Sequence, residues 1–424
     1  MNRLHIRNAR LIDPESGYDA MGSLVAEDGR IAAMGPKVPV PAGAQSIDAE
    51  GHILCPGFVD LRVFTGEPGA EHRETLASAS EAAAAGGVTT MVVMPNTDPV
   101  IDDVALVDFI KRRAEATAQV RVLPAAALTK GLDGQTMTEI GLMAAAGAAM
   151  FTDAVKAVAN TLVMRRCLTY AANFDALVCV HAEDPWLSGG AANEGEYASR
   201  LGLGGNPAVS EAIALQRDLA LALATGARMH VGQISTGESV ELIKRARAQG
   251  AQVTCAVSAH HLALNERDVE QYKTFAKVSP PLRAESERQA LIEGVREGVI
   301  DAVVSSHDPQ APETKRQPFA QAAPGAIGLE TLLPACLTLH HDGGIDLMAV
   351  LALLTCGPAG VLRLPQGRLA AGAPADFALI DPNAPVKIDP AAFRSHTKNS
   401  PFKGRLLMGR ALRTIVAGET VFAV

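Results

Sequence analysis

The chain has 424 residues, a net charge of −8, 48% hydrophobic and 20% charged residues. That length admits an α/β barrel of about 250 residues with a smaller appendage, and the acidic balance leaves no basic stripe of the kind nucleic-acid binding requires. No apolar run approaches the ~18 residues of a membrane span, and the first residues, MNRLHIRNARLID, carry no secretory h-region; the expectation is a cytoplasmic protein without membrane partners.

The first ~55 residues read as short strands and turns. RLHIRNARLID alternates, SLVAEDGRIAAMG is a hairpin with Asp-Gly at its turn, and QSIDAEGHILCPG is expected to form another pair. From residue 56 buried strands alternate with amphipathic helices. FVDLRV leads to a helix in ETLASASEAAAA, VTTMVVM to DVALVDFIKRRAEAT, VRVLP to MTEIGLMAAAG, and AAMFTD to NTLVMRRCLTYAA. ALVCVHAED precedes AVSEAIALQRDLALALATG, a core-facing helix; ARMHVGQIST, QVTCAVSAHH and IDAVVSSHDP complete the strands. Near-continuous apolar strands separated by helices make a parallel sheet, and about eight such units make a TIM-type (β/α)8 barrel. The chain end returns to strands. The expected division is a composite β-sandwich domain of residues 1–55 plus 365–424 around a barrel of residues 56–364. The six cysteines are scattered without a CxxC pair, mostly in apolar runs such as LVCVHA, where a thiol serves as a small core residue.

Barrel chemistry sits at the C-terminal strand ends. Here those ends carry Arg62 and Phe64, Asn96, Asp153, His181, Gln233, His260 and His261, then Ser306, His307 and Asp308. Imidazole and carboxylate on converging strands point to metal-assisted hydrolysis.

The stretches GFVDLRV…EPGAEHRETLASASEAAAAGGVTTMVVMPNTDPV, FTDAVKAV, VHAEDPWL, MHVGQISTGESVELI, VTCAVSAHHLAL, KVSPPLR and PFAQAAPGAIGLETLLP, in that order, resemble the dihydroorotases of the amidohydrolase superfamily from end to end. The resemblance implies a zinc site, and Asp153 and His181 match two of its ligands. Other positions depart. The family's His-x-His is Arg62 and Phe64, its next His ligand after His181 is Gln233, and its aspartate, both ligand and general base, is Ser306. Arginine cannot donate a lone pair at any accessible pH. Among substrate positions Asn96 is kept, whereas the carboxylate-clamping Arg is Gly66, the Asn before PPLR is Ser279, and the late His is Gln310. His260 and His261 match family residues that do not bind the metal.

A full structural zinc site is worth roughly 10–16 kcal/mol, and catalytic zinc normally keeps three protein ligands, so two surviving ligands are too few. The resulting expectation is a catalytically inactive, dihydroorotase-like subunit without a cofactor. The resemblance to such subunits implies a homo-oligomer that scaffolds aspartate carbamoyltransferase chains in pyrimidine biosynthesis. The alternative is an active cyclic amidohydrolase, opening dihydroorotate to carbamoyl aspartate with zinc in a rearranged site. In the inactive reading Arg62 is expected to pair with Asp153 and replace the charge of the ion, with Asp153 and His181 bonded to each other or to Arg62; in the alternative Asp153 and His181 hold an ion, with Asp308 or His307 moved inward.

Overall fold

In the computed structural model, which describes residues 3–424, both ends of the chain build one eight-stranded sheet. Its strands are Arg3–Asp13, Tyr18–Glu27, Arg30–Gly35, Gln45–Asp48, Ile53–Pro56, Phe377–Lys387, Leu406–Val416 and Glu419–Ala423. The hairpin at Asp28-Gly29 forms with φ of 46° and 77°, the left-handed pair that a tight two-residue turn needs. The second expected pair does not form. Gln45–Asp48 and Ile53–Pro56 both run parallel to Arg3–Asp13, one beyond the other. The connector between them bonds to the same strand, Ala49 N to Arg7 O and Gly51 N to Asn8 O, so the chain continues along that edge instead of reversing. Leu11, Leu24, Leu54, Phe377 and Ile415 bury a core belonging to this sheet.

Between the two ends lies the barrel. Strands Phe58–Val63, Val88–Val93 and Arg121–Pro124 pair in parallel, as do Val178–Val180, Met229–Ile234, Val253–Ser258 and Ala302–Val304. The fourth position is only a bridge at Phe151, paired to Ala126 on one side and Val178 on the other, and a Val63–His307 bridge closes the circle. Three of these strands are buried at all six residues, as expected for a parallel sheet covered on both faces. Helices start where the sequence supplies caps: Thr75, Asp103, Asn160 and Thr236 each accept a backbone N–H of the first turn. The helix Val209–Thr225 packs inward through Ala214, Leu215, Leu219 and Ala222. Arg121 grips Asp376 with two bonds of 2.8 and 3.1 Å, tying barrel to sheet domain. Among the described residues no helix is long and apolar enough to cross a membrane.

Candidate functional site at the barrel mouth

Arg62 stands one residue before the end of the strand Phe58–Val63 and is 2% exposed. A guanidinium fits there because Gly232, on the strand Met229–Ile234, has no side chain. A Cβ at Gly232 would lie 3.1 Å from Arg62 Nη1 and 2.9 Å from Cys179 Sγ. Nη2 donates to the carbonyl of Ala154 at 3.1 Å, and the guanidinium lies 5.2 Å from the centre of the Phe64 ring, within cation–π range. Nε and Nη1 have no hydrogen-bond partner among the described residues.

The expected Arg62–Asp153 pair is absent. Asp153 instead accepts from Leu128 N (3.1 Å), Thr129 N (2.9 Å) and Thr129 Oγ1, so its carboxylate serves the loop after the third strand. Burial raises its pKa, opposed by those three bonds. His181 does not reach Asp153 either. Its Nε2 meets Glu183 Oε2 at 2.8 Å, and Glu183 is held further by Asn206 at 2.9 Å and Ser279 Oγ at 3.0 Å. Burial opposes ionisation of Glu183, but the hydrogen bond and charge of His181 hold its pKa down to about 2.

A cavity of about 370 Å³ at the strand ends is bordered by Arg62, Phe64, Asn96, Ser279, Ser306 and Gln310. Arg73 and Asp308 also border it. Arg73 donates to Asp308 Oδ1 at 2.9 Å, and Gln310 Nε2 donates to the same oxygen at 2.7 Å. Burial raises the pKa of Asp308 against the pull of Arg73. His181 borders a separate cavity, of about 520 Å³, with Lys156, Glu183 and Trp186; Val155 borders both. Gln233 is buried below, donating to the carbonyl of Ser279 at 2.6 Å. Gly66 lies outside the cavity lining. Its ideal Cβ would sit 1.9 Å from Ala70 O, so no side chain fits there, and Arg73 is the second guanidinium of the mouth instead.

The other histidines at the strand ends, His260, His261 and His307, are held by packing and hydrogen bonds. His261 bonds to Ser258 Oγ at 2.8 Å and to Pro280 O at 3.1 Å, and burial lowers its pKa to about 4. His260 packs on Phe402 with ring centres 5.7 Å apart. His307 turns from the mouth to accept from Gly328 N at 3.2 Å and to approach Glu74 at 3.5 Å. The reading from sequence missed Arg73 and Glu183. Both lie in stretches already singled out, EHRETL and VHAED, and their charge in loops after barrel strands was the available signal.

The comparisons agree with this architecture. Residues 51–239 match the model of the family described as dihydro-orotase-like, and residues 301–422 that of the amidohydrolase family. An L-hydantoinase from Arthrobacter aurescens superposes with a TM-score of 0.90 at 28% identity, covering 100% of this chain and 96% of that one. A dihydropyrimidinase from Brevibacillus agri, 21% identical with a TM-score of 0.86 and covering 99% and 95% of the two chains, shares the fold. The class is therefore an amidohydrolase-type barrel with a β-sandwich domain built from both termini. A dihydroorotase of Anaplasma phagocytophilum is 44% identical over 98% of this chain and 94% of that protein, and one from Syntrophotalea carbinolica is 41% identical over 99% of each. The chain belongs to the dihydroorotase family.

Full-length relatives named dihydroorotase, at 39–44% identity, overturn the expectation of a catalytically inactive assembly subunit. That expectation equated lost metal ligands with lost chemistry. The mouth nevertheless keeps a fixed positive charge, Arg62, on the strand end where the family places its ion, beside a carboxylate, Asp308. Zinc is the cofactor the family implies, but the donor set does not fit it. Asp153 and His181 are committed elsewhere, Arg62 repels a cation, and the described residues contain no cluster of three or more His, Cys, Asp or Glu able to hold a metal.

Proposed function

We propose that the chain is a cyclic-amide hydrolase of the dihydroorotase type, interconverting dihydroorotate and carbamoyl aspartate at the mouth cavity. The observation that supports this reading is 39–44% identity to dihydroorotases along the whole chain, together with a charged cavity at the functional end of the barrel. Its volume lies in the range of small-molecule sites, roughly 300–1,000 Å³. In ring opening, water adds to the ring carbonyl, the C–N bond breaks, the nitrogen takes a proton, and a carboxylate and a proton are released. Among the described residues Asp308 is the one carboxylate bordering the cavity, and it is the candidate proton acceptor from water. Asn96, Ser279 and Gln310 supply amide and hydroxyl groups for orienting the ring. Cytoplasmic pyrimidine synthesis is the setting this activity implies.

The test is an absorbance assay of both directions on the purified full-length chain, alongside Asp308→Asn. Turnover that falls about a hundredfold or more in the variant supports the reading. A wild-type chain that turns over neither compound, with or without added zinc, contradicts it.

A further inference from the structure

The carboxylates around Arg62 are all engaged by other groups. Asp60 accepts the backbone N–H of Arg62 at 3.1 Å and that of Ser305 at 3.3 Å. Glu183 is taken by His181, Asn206 and Ser279. Asp308 is taken by Arg73 and Gln310. Asp308, Glu183 and Asp60 act on Arg62 only through their longer-range fields, and Arg62 makes no ion pair among the described residues. A buried charge without a partner is costly, and guanidinium does not shed its proton to escape that cost. Such a group persists where a ligand supplies the missing charge.

The charge of the cavity then selects the ligand. Arg62 and Arg73 against Asp308 leave one positive charge among the bordering residues. We propose that the mouth is an anion site whose fixed cation is Arg62, and that it binds a monoanionic cyclic amide through its carboxylate without a metal ion. This rests on the reading of the chain as a dihydroorotase-type hydrolase and adds how the substrate is held. Nε and Nη1 carry no hydrogen bond and point to different sides of the guanidinium, so Arg62 offers a carboxylate its charge and single N–H···O bonds and not a two-atom fork. Phe64, 3% exposed on the same wall, provides the apolar surface that keeps the pair out of water.

The experiment is calorimetric titration of dihydroorotate into the chelator-treated full-length chain, beside Arg62→Lys and Arg62→Met. Dihydrouracil, the same ring without the carboxylate, is the control. The wild-type chain is expected to bind dihydroorotate and not dihydrouracil. Affinity is expected to fall about tenfold to a hundredfold in Arg62→Met and by less in Arg62→Lys. The melting temperature of unliganded Arg62→Met, measured on the same samples, is expected to match or exceed that of the wild type, which separates lost binding from lost folding. Equal affinity in wild type and Arg62→Met, binding only after zinc is added, or equally tight dihydrouracil would each overturn the proposal. Turnover on the same preparations keeps the two readings apart. Binding that depends on Arg62 without turnover contradicts the hydrolase reading and not the anion site. Turnover indifferent to Arg62 does the reverse.

Discussion

A buried guanidinium without a counter-ion is costly to hold at the barrel mouth, and two substitutions measure what the charged groups there do for stability. Arg62→Met removes the unpaired charge at the loss of one bond to Ala154 O, so chemical denaturation is expected to show a gain of about 1 kcal/mol or more. A loss of that size would mean that Arg62 is a structural strut. Asp153→Ala removes the acceptor of two buried backbone N–H groups and the Thr129 hydroxyl. The same measurement is expected to show a loss of about 2–4 kcal/mol; an unchanged midpoint would refute the assignment of this carboxylate to loop support. The strand-end identities were readable from spacing alone, Arg62 and Phe64 included. The partners of Asp153 were not, because its donors come from Leu128 and Thr129, 24–25 positions earlier, and no local pattern announces a loop folding back onto the next strand end.

At the scale of elements, the loop after the first barrel strand and the loop after the last are joined across the mouth by Arg73, which bonds Asp308 and the carbonyl of Pro309. Arg73→Ala frees Asp308 to neutralise Arg62. Steady-state kinetics are expected to show KM for dihydroorotate rising about tenfold, in keeping with the loss of one charge-assisted contact; an unaltered KM would show that Asp308 does not couple to the anion site. Barrel units were legible in chain order because their strands are near-continuous apolar runs. The fourth strand was overread, since AAMFTD reduces to one bridge at Phe151. Alternation also suggested that Gln45–Asp48 and Ile53–Pro56 pair with each other, whereas pairing direction is set by the connector, which local apolar pattern does not encode.

At the scale of the whole molecule, the barrel and the C-terminal segments meet over a cavity of about 600 Å³ bordered by Glu330, Phe393 and Phe422. Glu330 accepts from Ser395 N at 3.0 Å, and burial raises its pKa from 4.5 to about 7. A carboxyl group raised in the folded state binds more protons there than when unfolded, so its contribution is full below pH 4.5 and is lost as pH rises to about 7. Glu330→Gln is expected to flatten the fall in melting temperature across that window and to leave the curve below it nearly unchanged; a parallel curve would contradict the assignment. The composite sheet domain and barrel were legible because their segments occur in family order from end to end. The expectation of inactivity failed because it was drawn from the count of absent ligands, against which stand full-length relatives named dihydroorotase at 39–44% identity. The most direct test of this account is dihydroorotate ring opening by wild-type and Arg62→Met chains after chelation, with residual zinc quantified in the same samples. The wild-type chain is expected to turn over at far less than one zinc per chain, and Arg62→Met is expected to lose that turnover. Turnover that tracks zinc content and ignores Arg62 would contradict both expectations.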